Sequence, residues 1–136
     1  MVRETINNKI QLLEENLEKL KELQRLSANE FLNDFRNVEA AKHLLQTSIE
    51  AMIDIANSII AYKRLREPDT SAESFEILAD NELISDNNKA RYINMTKFRN
   101  RVVHVYGKID EKDIYNIVKD YLDDYRLFIK EITNRI

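Results

Sequence analysis

The stretch from Ile6 to Leu20 reads INNKIQLLEENLEKL, and its spacing decides the fold class. Apolar residues recur in it at alternating intervals of four and three: Ile6, Ile10, Leu13, Leu17 and Leu20. One face of an α-helix repeats with this period, because the helix has about 3.6 residues per turn. The stretch therefore predicts an amphipathic helix over residues 2–26 that buries one face.

A second apolar row follows a helix cap at Ser27 or Asn29 and extends to about Leu65. Its members are Phe31, Phe35, Val38, Leu45, Ile49, Met52, Ala56 and Ile59. A helix of this length would span more than about 50 Å. We therefore expect a bend near Thr47 and Ser48, whose hydroxyls can bond back to the helix.

A short connecting helix comes next. Glu67-Pro68-Asp69 ends the second helix, because proline disfavours a helical conformation in the residue before it. Thr70 and Glu73 have the spacing of a capping box. Together these residues predict a third helix from about Phe75 to Leu83.

Two longer helices complete the chain. Ser85 or Asp86 caps a fourth helix that ends at Gly107, the only glycine, because a helix end favours a left-handed residue. Asp110 caps the last helix. The core face of that helix is Ile114, Ile117, Tyr121, Leu122, Tyr125, Phe128 and Ile132. The sequence predicts an all-α antiparallel bundle of four long helices plus one short connecting helix, in a single domain over residues 1–136.

Composition excludes several classes of protein. A chain of 136 residues can bury a core without disulfide bonds. One glycine and one proline leave few turns for β-hairpins, which argues against an all-β fold. The absence of cysteine excludes disulfides, thiol catalysis and thiolate metal sites. The sequence contains neither a membrane-spanning apolar run nor the apolar region of a signal peptide, so we expect a cytoplasmic protein.

The charge pattern singles out the fourth helix. The net charge is −3, yet residues 87–109 contain no acidic residue. Their basic residues are Lys89, Arg91, Lys97, Arg99, Arg101 and Lys108. Two interpretations are open: these charges pair with acidic faces of neighbouring helices, or they form a nucleic-acid surface. His104, Asn100 and two tyrosines in the same run favour the second, because cations contact phosphates and aromatic rings contact bases.

The helical geometry of this run constrains a site. Asn100 and His104 are four residues apart and share a face. Arg99 and His104 are about 140° apart around the helix axis. A joint site therefore needs the long reach of Arg99, a local distortion, or a second copy of the chain, and the last option suggests a cleft between two protomers.

The motif Arg99-x-x-x-x-His104-x-Tyr106 resembles the R-x-x-x-x-H-x-Y signature of the HEPN superfamily, specifically its HepT-like toxins, which pair with minimal nucleotidyltransferase (MNT) antitoxins. The second helix adds matching residues: Arg36-x-Val38-Glu39 and Gln46-x-x-Ile49-Glu50-x-x-x-Asp54-Ile55-Ala56. The resemblance covers about residues 30–130. Asn57 departs from it, since another histidine is common there.

The resemblance implies a homodimeric endoribonuclease that uses no metal and no other cofactor. His104 would take the 2′-hydroxyl proton or protonate the leaving oxygen, and Arg99 would stabilise charge on the phosphoryl oxygens. Asn100 would orient His104 or the phosphate, and Lys97 and Arg101 would contact the RNA.

The resemblance also implies a partner and a switch. The chain would be the toxin of a type II/VII-like toxin–antitoxin pair, and the MNT antitoxin would silence it by transferring AMP from ATP to Tyr106. We expect neither a membrane nor DNA as a partner.

The second helix also carries a stripe of polar residues among its apolar ones. Glu50, Asp54 and Asn57 share one face. Paired carboxylates in helical bundles can hold two metal ions, but the sequence has no Glu-x-x-His, and His43 is out of phase with the stripe. We therefore predict a salt-bridging or cleft-lining role.

Other functions stay open at this stage. The chain could be a non-catalytic subunit that presents substrate to a nucleotidyltransferase. It could also be a coiled-coil adaptor, which the spacing of the first helix supports but which leaves the basic helix unexplained. Independently of these rivals, His104 could be a helix-end histidine that bonds to nearby carbonyls, and Tyr106 could be a packing residue at the helix end.

Overall fold

The computed structural model describes residues 2–104 and 109–135. In these residues it contains seven helices and no strand: α1 (Val2–Gln24), α2 (Ala28–Leu32), α3 (Phe35–Tyr62), α4 (Ser71–Asp80), α5 (Lys89–His104), α6 (Glu111–Asp120) and α7 (Leu122–Arg135). The all-helical bundle is confirmed. The predicted second and last helices are each divided in two.

The first division lies at Asn33 and Asp34. Ser27 and Glu30 form a capping box at the start of α2, which ends after five residues. Asp34 then caps α3, accepting a hydrogen bond from the backbone nitrogen of Arg36 at 3.0 Å. The new cap places Phe35 in the first turn of α3, where its side chain is 73% exposed. The prediction that Phe35 lies in the core is therefore wrong.

The second division lies at Tyr121. This residue ends α6 with φ −120° and ψ 8°, and α7 begins at the next residue. The change of direction leaves the Tyr121 side chain 54% exposed, so its predicted place in the core is also wrong. The other predicted core residues of α7 are buried: Leu122, Tyr125, Phe128 and Ile132.

Helix α1 packs along α3, and the apolar row from Ile6 to Leu20 is buried as predicted. Asn16 is also buried in this interface, where its Nδ2 donates to Thr47 Oγ1 at 3.0 Å and to Ser48 Oγ at 3.1 Å. A buried amide costs stability unless it is hydrogen-bonded, so these bonds fix the register of α1 against α3. Helix α3 stays α-helical at this position, where the sequence predicted a bend.

Helix caps follow the sequence pattern at two further places. Thr70 caps α4 by accepting from the Glu73 nitrogen at 3.1 Å, and Asp110 caps α6 by accepting from the Lys112 nitrogen at 2.9 Å. Helix α4 starts at Ser71, earlier than predicted. Gly107, the predicted end of the fourth helix, lies outside the described residues.

No helix within residues 2–104 and 109–135 combines the length and the apolar character needed to cross a membrane.

Candidate active site at the end of helix α5

The first half of α5 is anchored to α7 by a buried carboxylate. Glu131 accepts hydrogen bonds from the Ser85 nitrogen at 2.6 Å, from Asn88 Nδ2 at 3.3 Å and from the Tyr92 hydroxyl. Burial raises the pKa of the Tyr92 phenol, and the bond to Glu131 raises it further, so the phenol stays protonated and donates. Glu131 is not among the residues predicted from the sequence. Its position between the predicted core residues Phe128 and Ile132 is the feature of the sequence that could have indicated a buried carboxylate.

The Tyr92 ring packs against two other buried aromatic rings. Tyr92 packs edge-on against Phe128 with 5.2 Å between centroids, and Phe75 lies 5.8 Å from both rings. Aromatic pairs at these distances and angles add to the stability of a core. The first half of α5 is therefore held firmly, and its last turns lie farther from these contacts.

Arg99 is positioned by α3. Its Nε donates to Glu50 Oε2 at 3.2 Å, and the two side chains are 26% and 34% exposed. Gln46 Nε2 donates to the same carboxylate oxygen at 3.4 Å. The predicted salt-bridging role of Glu50 is confirmed. This pair holds the guanidinium at the edge of the bundle, with part of its surface open to solvent.

The reach of Arg99 brings it to the face that carries the other motif residues. Its Nη1 donates to Asn100 Oδ1 at 3.2 Å. Asn100 and His104 are exposed and share a helix face, so the guanidinium contacts a residue that lies one helical turn from His104. Among the described residues, the His104 side chain has no hydrogen-bond partner and donates to no carbonyl. The interpretation of His104 as a helix-end residue that bonds to carbonyls finds no support in that part of the chain.

The basic residues of α5 fall into two groups. Arg91 pairs with Asp124 at 3.0 Å, and Lys89 pairs with Asp86 at 3.4 Å. Lys97 and Arg101 are exposed, and no carboxylate of residues 2–104 or 109–135 lies within 4.0 Å of their charged groups. Pairing with acidic side chains thus accounts for Lys89, Arg91 and Arg99, but not for Lys97 and Arg101. Arg101 instead lies over the Phe98 ring, with its Cζ 5.7 Å from the centroid.

The rest of the polar stripe on α3 is used in packing between helices. Asp54 pairs with Lys9 of α1 at 3.1 Å, and Asn57 accepts a hydrogen bond from the Ser74 hydroxyl of α4 at 2.6 Å. The salt-bridging prediction is therefore confirmed for Asp54. No group of three or more histidine and acidic side chains in the described residues is arranged to hold a metal ion.

Tyr106, the predicted acceptor of AMP, lies outside the described residues. The structure describes α5 as far as His104 and resumes at Ile109.

Comparison with known proteins identifies the family. A family model described as ribonuclease HepT-like matches residues 13–132. The chain belongs to the HepT-like family. The predicted family and enzyme class are both confirmed.

Individual HepT relatives match along almost the whole chain. The mRNA nuclease HepT of Shewanella oneidensis is 30% identical over 131 residues, which cover 96% of this chain and 98% of the relative. The tRNA nuclease HepT of Aphanizomenon flos-aquae is 25% identical over 129 residues, covering 95% and 88%. A solved structure of the tri-AMPylated Shewanella oneidensis HEPN toxin in complex with MNT antitoxin matches with a TM-score of 0.88 at 30% identity, covering 96% of this chain and 97% of that one.

Proposed function

We propose that this HepT-like chain is the toxin of a type II/VII-like toxin–antitoxin pair and acts as a metal-independent endoribonuclease. The observation that carries the proposal is that Glu50 and Asn100 hold Arg99, and that Asn100 shares an exposed helix face with His104. The nuclease names of the HepT relatives from Shewanella and Aphanizomenon support it.

The reaction is an internal transfer within the RNA. Neutral His104 takes the proton of a 2′-hydroxyl, the 2′-oxygen attacks the adjacent phosphorus, and the bond from phosphorus to the 5′-oxygen breaks. The leaving 5′-oxygen takes a proton from water and His104 releases its proton to solvent, which gives a 5′-hydroxyl and a 2′,3′-cyclic phosphate. Arg99 binds the phosphoryl oxygens as negative charge builds on them, and its pair with Glu50 keeps it in place before substrate arrives.

Asn100 and the two unpaired cations complete the proposed site. Asn100 holds the guanidinium of Arg99 on the side where His104 lies. Lys97 and Arg101 contact phosphates on either side of the reacting one, because both are exposed on the same helix and lack carboxylate partners among the described residues.

The activity itself is tested with the unmodified chain. Purified protein is expected to cleave single-stranded RNA in buffer containing EDTA and to leave cyclic phosphate ends, because no step uses a metal ion. Gel electrophoresis with end-group analysis measures both. If chelation stops cleavage, the mechanism is wrong. If the chain never cleaves RNA but stimulates a nucleotidyltransferase, it is instead the non-catalytic subunit.

The proposed toxin acts as a homodimer in which two α5 helices line one cleft. Asn100 and His104 lie on the exposed face of α5, and Val103 beside them is 41% exposed. A second protomer would cover this apolar surface and bring a second set of cations to the RNA.

Light scattering is expected to give twice the 16.1 kDa mass of one chain at micromolar concentrations. Val103→Glu is expected to shift the protein towards monomer, because a charge would be buried in the interface. Leu12→Glu, another exposed apolar position at 39%, serves as the matched control. A wild-type protein that stays monomeric would contradict the shared cleft.

The proposed partner is an MNT-type nucleotidyltransferase that attaches AMP to Tyr106. The AMPylated toxin in complex with MNT antitoxin, which this chain matches along nearly its whole length, supports this partner.

A further inference from the structure

A groove lies between α5 and the junction of α6 with α7, on the side of α5 away from Glu50. Its volume is about 320 Å³. Phe98 and Tyr125 form part of its apolar wall, and Asn94, Arg101 and Tyr121 line it as well. Neither the fold nor the cleavage mechanism accounts for this groove.

Tyr121 is the unusual residue of the groove. The apolar period of the last two helices predicts a buried side chain here, but the break between α6 and α7 turns the ring out to 54% exposure. An exposed aromatic ring beside a cavity offers a flat surface on which a nucleic-acid base can stack.

The charges around the groove favour an anionic ligand. Arg91 and Asp124 both line it, but they neutralise each other at 3.0 Å. Arg101 contributes a positive charge with no carboxylate partner in the described residues. Its guanidinium lies over the Phe98 ring. The ligand that fits an exposed ring beside such a cation is a nucleotide, with its base on the ring and its phosphate on the arginine.

From this arrangement we infer that the groove is a base-binding subsite for the nucleotide next to the cleaved phosphate, an inference that rests on the proposed ribonuclease function. Tyr121 stacks on the base, Arg101 binds the phosphate, and the Asn94 amide faces the edge of the base, where it can donate and accept. Arg101 lies three residues before His104, about 4.5 Å along the helix axis, so a strand that fills the groove passes the site of cleavage.

The test measures binding separately from cleavage. His104→Ala protein is titrated with a short fluorescent single-stranded RNA and with versions of that RNA that lack one base at a time. One abasic position is expected to weaken binding roughly tenfold, because it removes the stacked base. In protein that also carries Tyr121→Ala, the intact RNA is expected to bind roughly tenfold more weakly, and the abasic position to have no further effect.

Two variants control for other causes. Tyr121→Phe keeps the ring and is expected to bind like the parent protein. Tyr62→Ala removes a tyrosine that is 69% exposed far along α3, and is expected to change nothing. Circular dichroism checks that each variant keeps its helices.

The outcomes separate this inference from the proposed function. If wild-type protein cleaves RNA but the abasic series is flat or Tyr121→Ala binds normally, the subsite is wrong and the ribonuclease stands. If Tyr121→Ala changes the oligomeric state by light scattering, the groove is a protein interface and the subsite is wrong. If RNA neither binds nor is cleaved, the proposed function has failed as well.

Discussion

Replacing either Arg99 or His104 by alanine is expected to lower RNA cleavage about 10²–10⁴-fold while the bundle remains folded. His104 is exposed, so its removal leaves no cavity. Arg99 and Glu50 are both partly exposed, so water reaches the Glu50 carboxylate after the arginine is removed and the bundle is expected to stay folded. Initial rates of cleavage in EDTA, together with thermal unfolding by circular dichroism, measure the two effects separately.

The chain offers matched controls for this experiment. His43→Ala removes the other histidine, which is exposed on α3, and Arg126→Ala removes an arginine that pairs with Asp123 on α7. Both are expected to cleave at the wild-type rate. A His104→Ala protein that cleaves as fast as wild type would overturn the mechanism.

Substitution of Glu50 tests how much the positioning of Arg99 contributes to cleavage. Glu50→Gln keeps the size of the side chain but removes the charge that holds Arg99. We expect a smaller loss of activity than in Arg99→Ala, because the guanidinium is still present but less well oriented. Arg99→Lys is expected to remain impaired, since lysine lacks the planar fork that binds two phosphoryl oxygens at once.

Incubation with a cognate MNT partner, ATP and Mg²⁺ is expected to add AMP to Tyr106 and to abolish RNA binding. Each AMP brings roughly one negative charge close to Arg99 in sequence, where the RNA phosphate is proposed to bind. Tyr106→Phe is expected to cleave RNA before and after incubation, because it lacks the acceptor oxygen. Peptide mass spectrometry locates the modification, and fluorescence anisotropy measures RNA binding.

The other tyrosines of the chain serve as internal controls for this switch. Tyr92 and Tyr125 are buried, and burial raises the pKa of both phenols, so neither is an accessible or easily deprotonated acceptor. Tyr62 and Tyr121 are exposed, so accessibility alone does not select among the remaining tyrosines. AMP found on Tyr62 or Tyr121, or an inhibited complex with Tyr106 unmodified, would show that the antitoxin silences the toxin in another way.

Periodicity predicted the helices well because each one depends mainly on residues within a turn of one another. The caps at Thr70 and Asp110 depend on neighbours two or three residues away and were correctly predicted, and Ser27 is one of the two caps proposed for the next helix. The two breaks were missed because the apolar period continues across both of them. At Asp34 the chain starts a new helix with its own cap, although the apolar period continues, and Phe35 is exposed as a result.

The site was predicted less completely, because its geometry depends on contacts that are distant in sequence. The angle between Arg99 and His104 posed a problem that the sequence left open. Glu50, 49 residues before Arg99, holds the guanidinium at the edge of the bundle, and the adjacent Asn100 accepts a second hydrogen bond from it. The exposure of Tyr121 was likewise hidden, since a helix break reverses the face that the period assigns to it.

The buried Glu131 sets an order of events during synthesis. Tyr92 precedes it by 39 residues, so a ribosome that adds about 5–20 residues per second makes the phenol roughly 2–8 s before its acceptor exists. Throughout that interval, Tyr92 and Asn88 lack the carboxylate that fixes α5 in the finished bundle. In the nascent chain, Arg99 and His104 therefore belong to a segment that is not yet anchored. The anchoring carboxylate of Glu131 is made only with one of the last turns of α7.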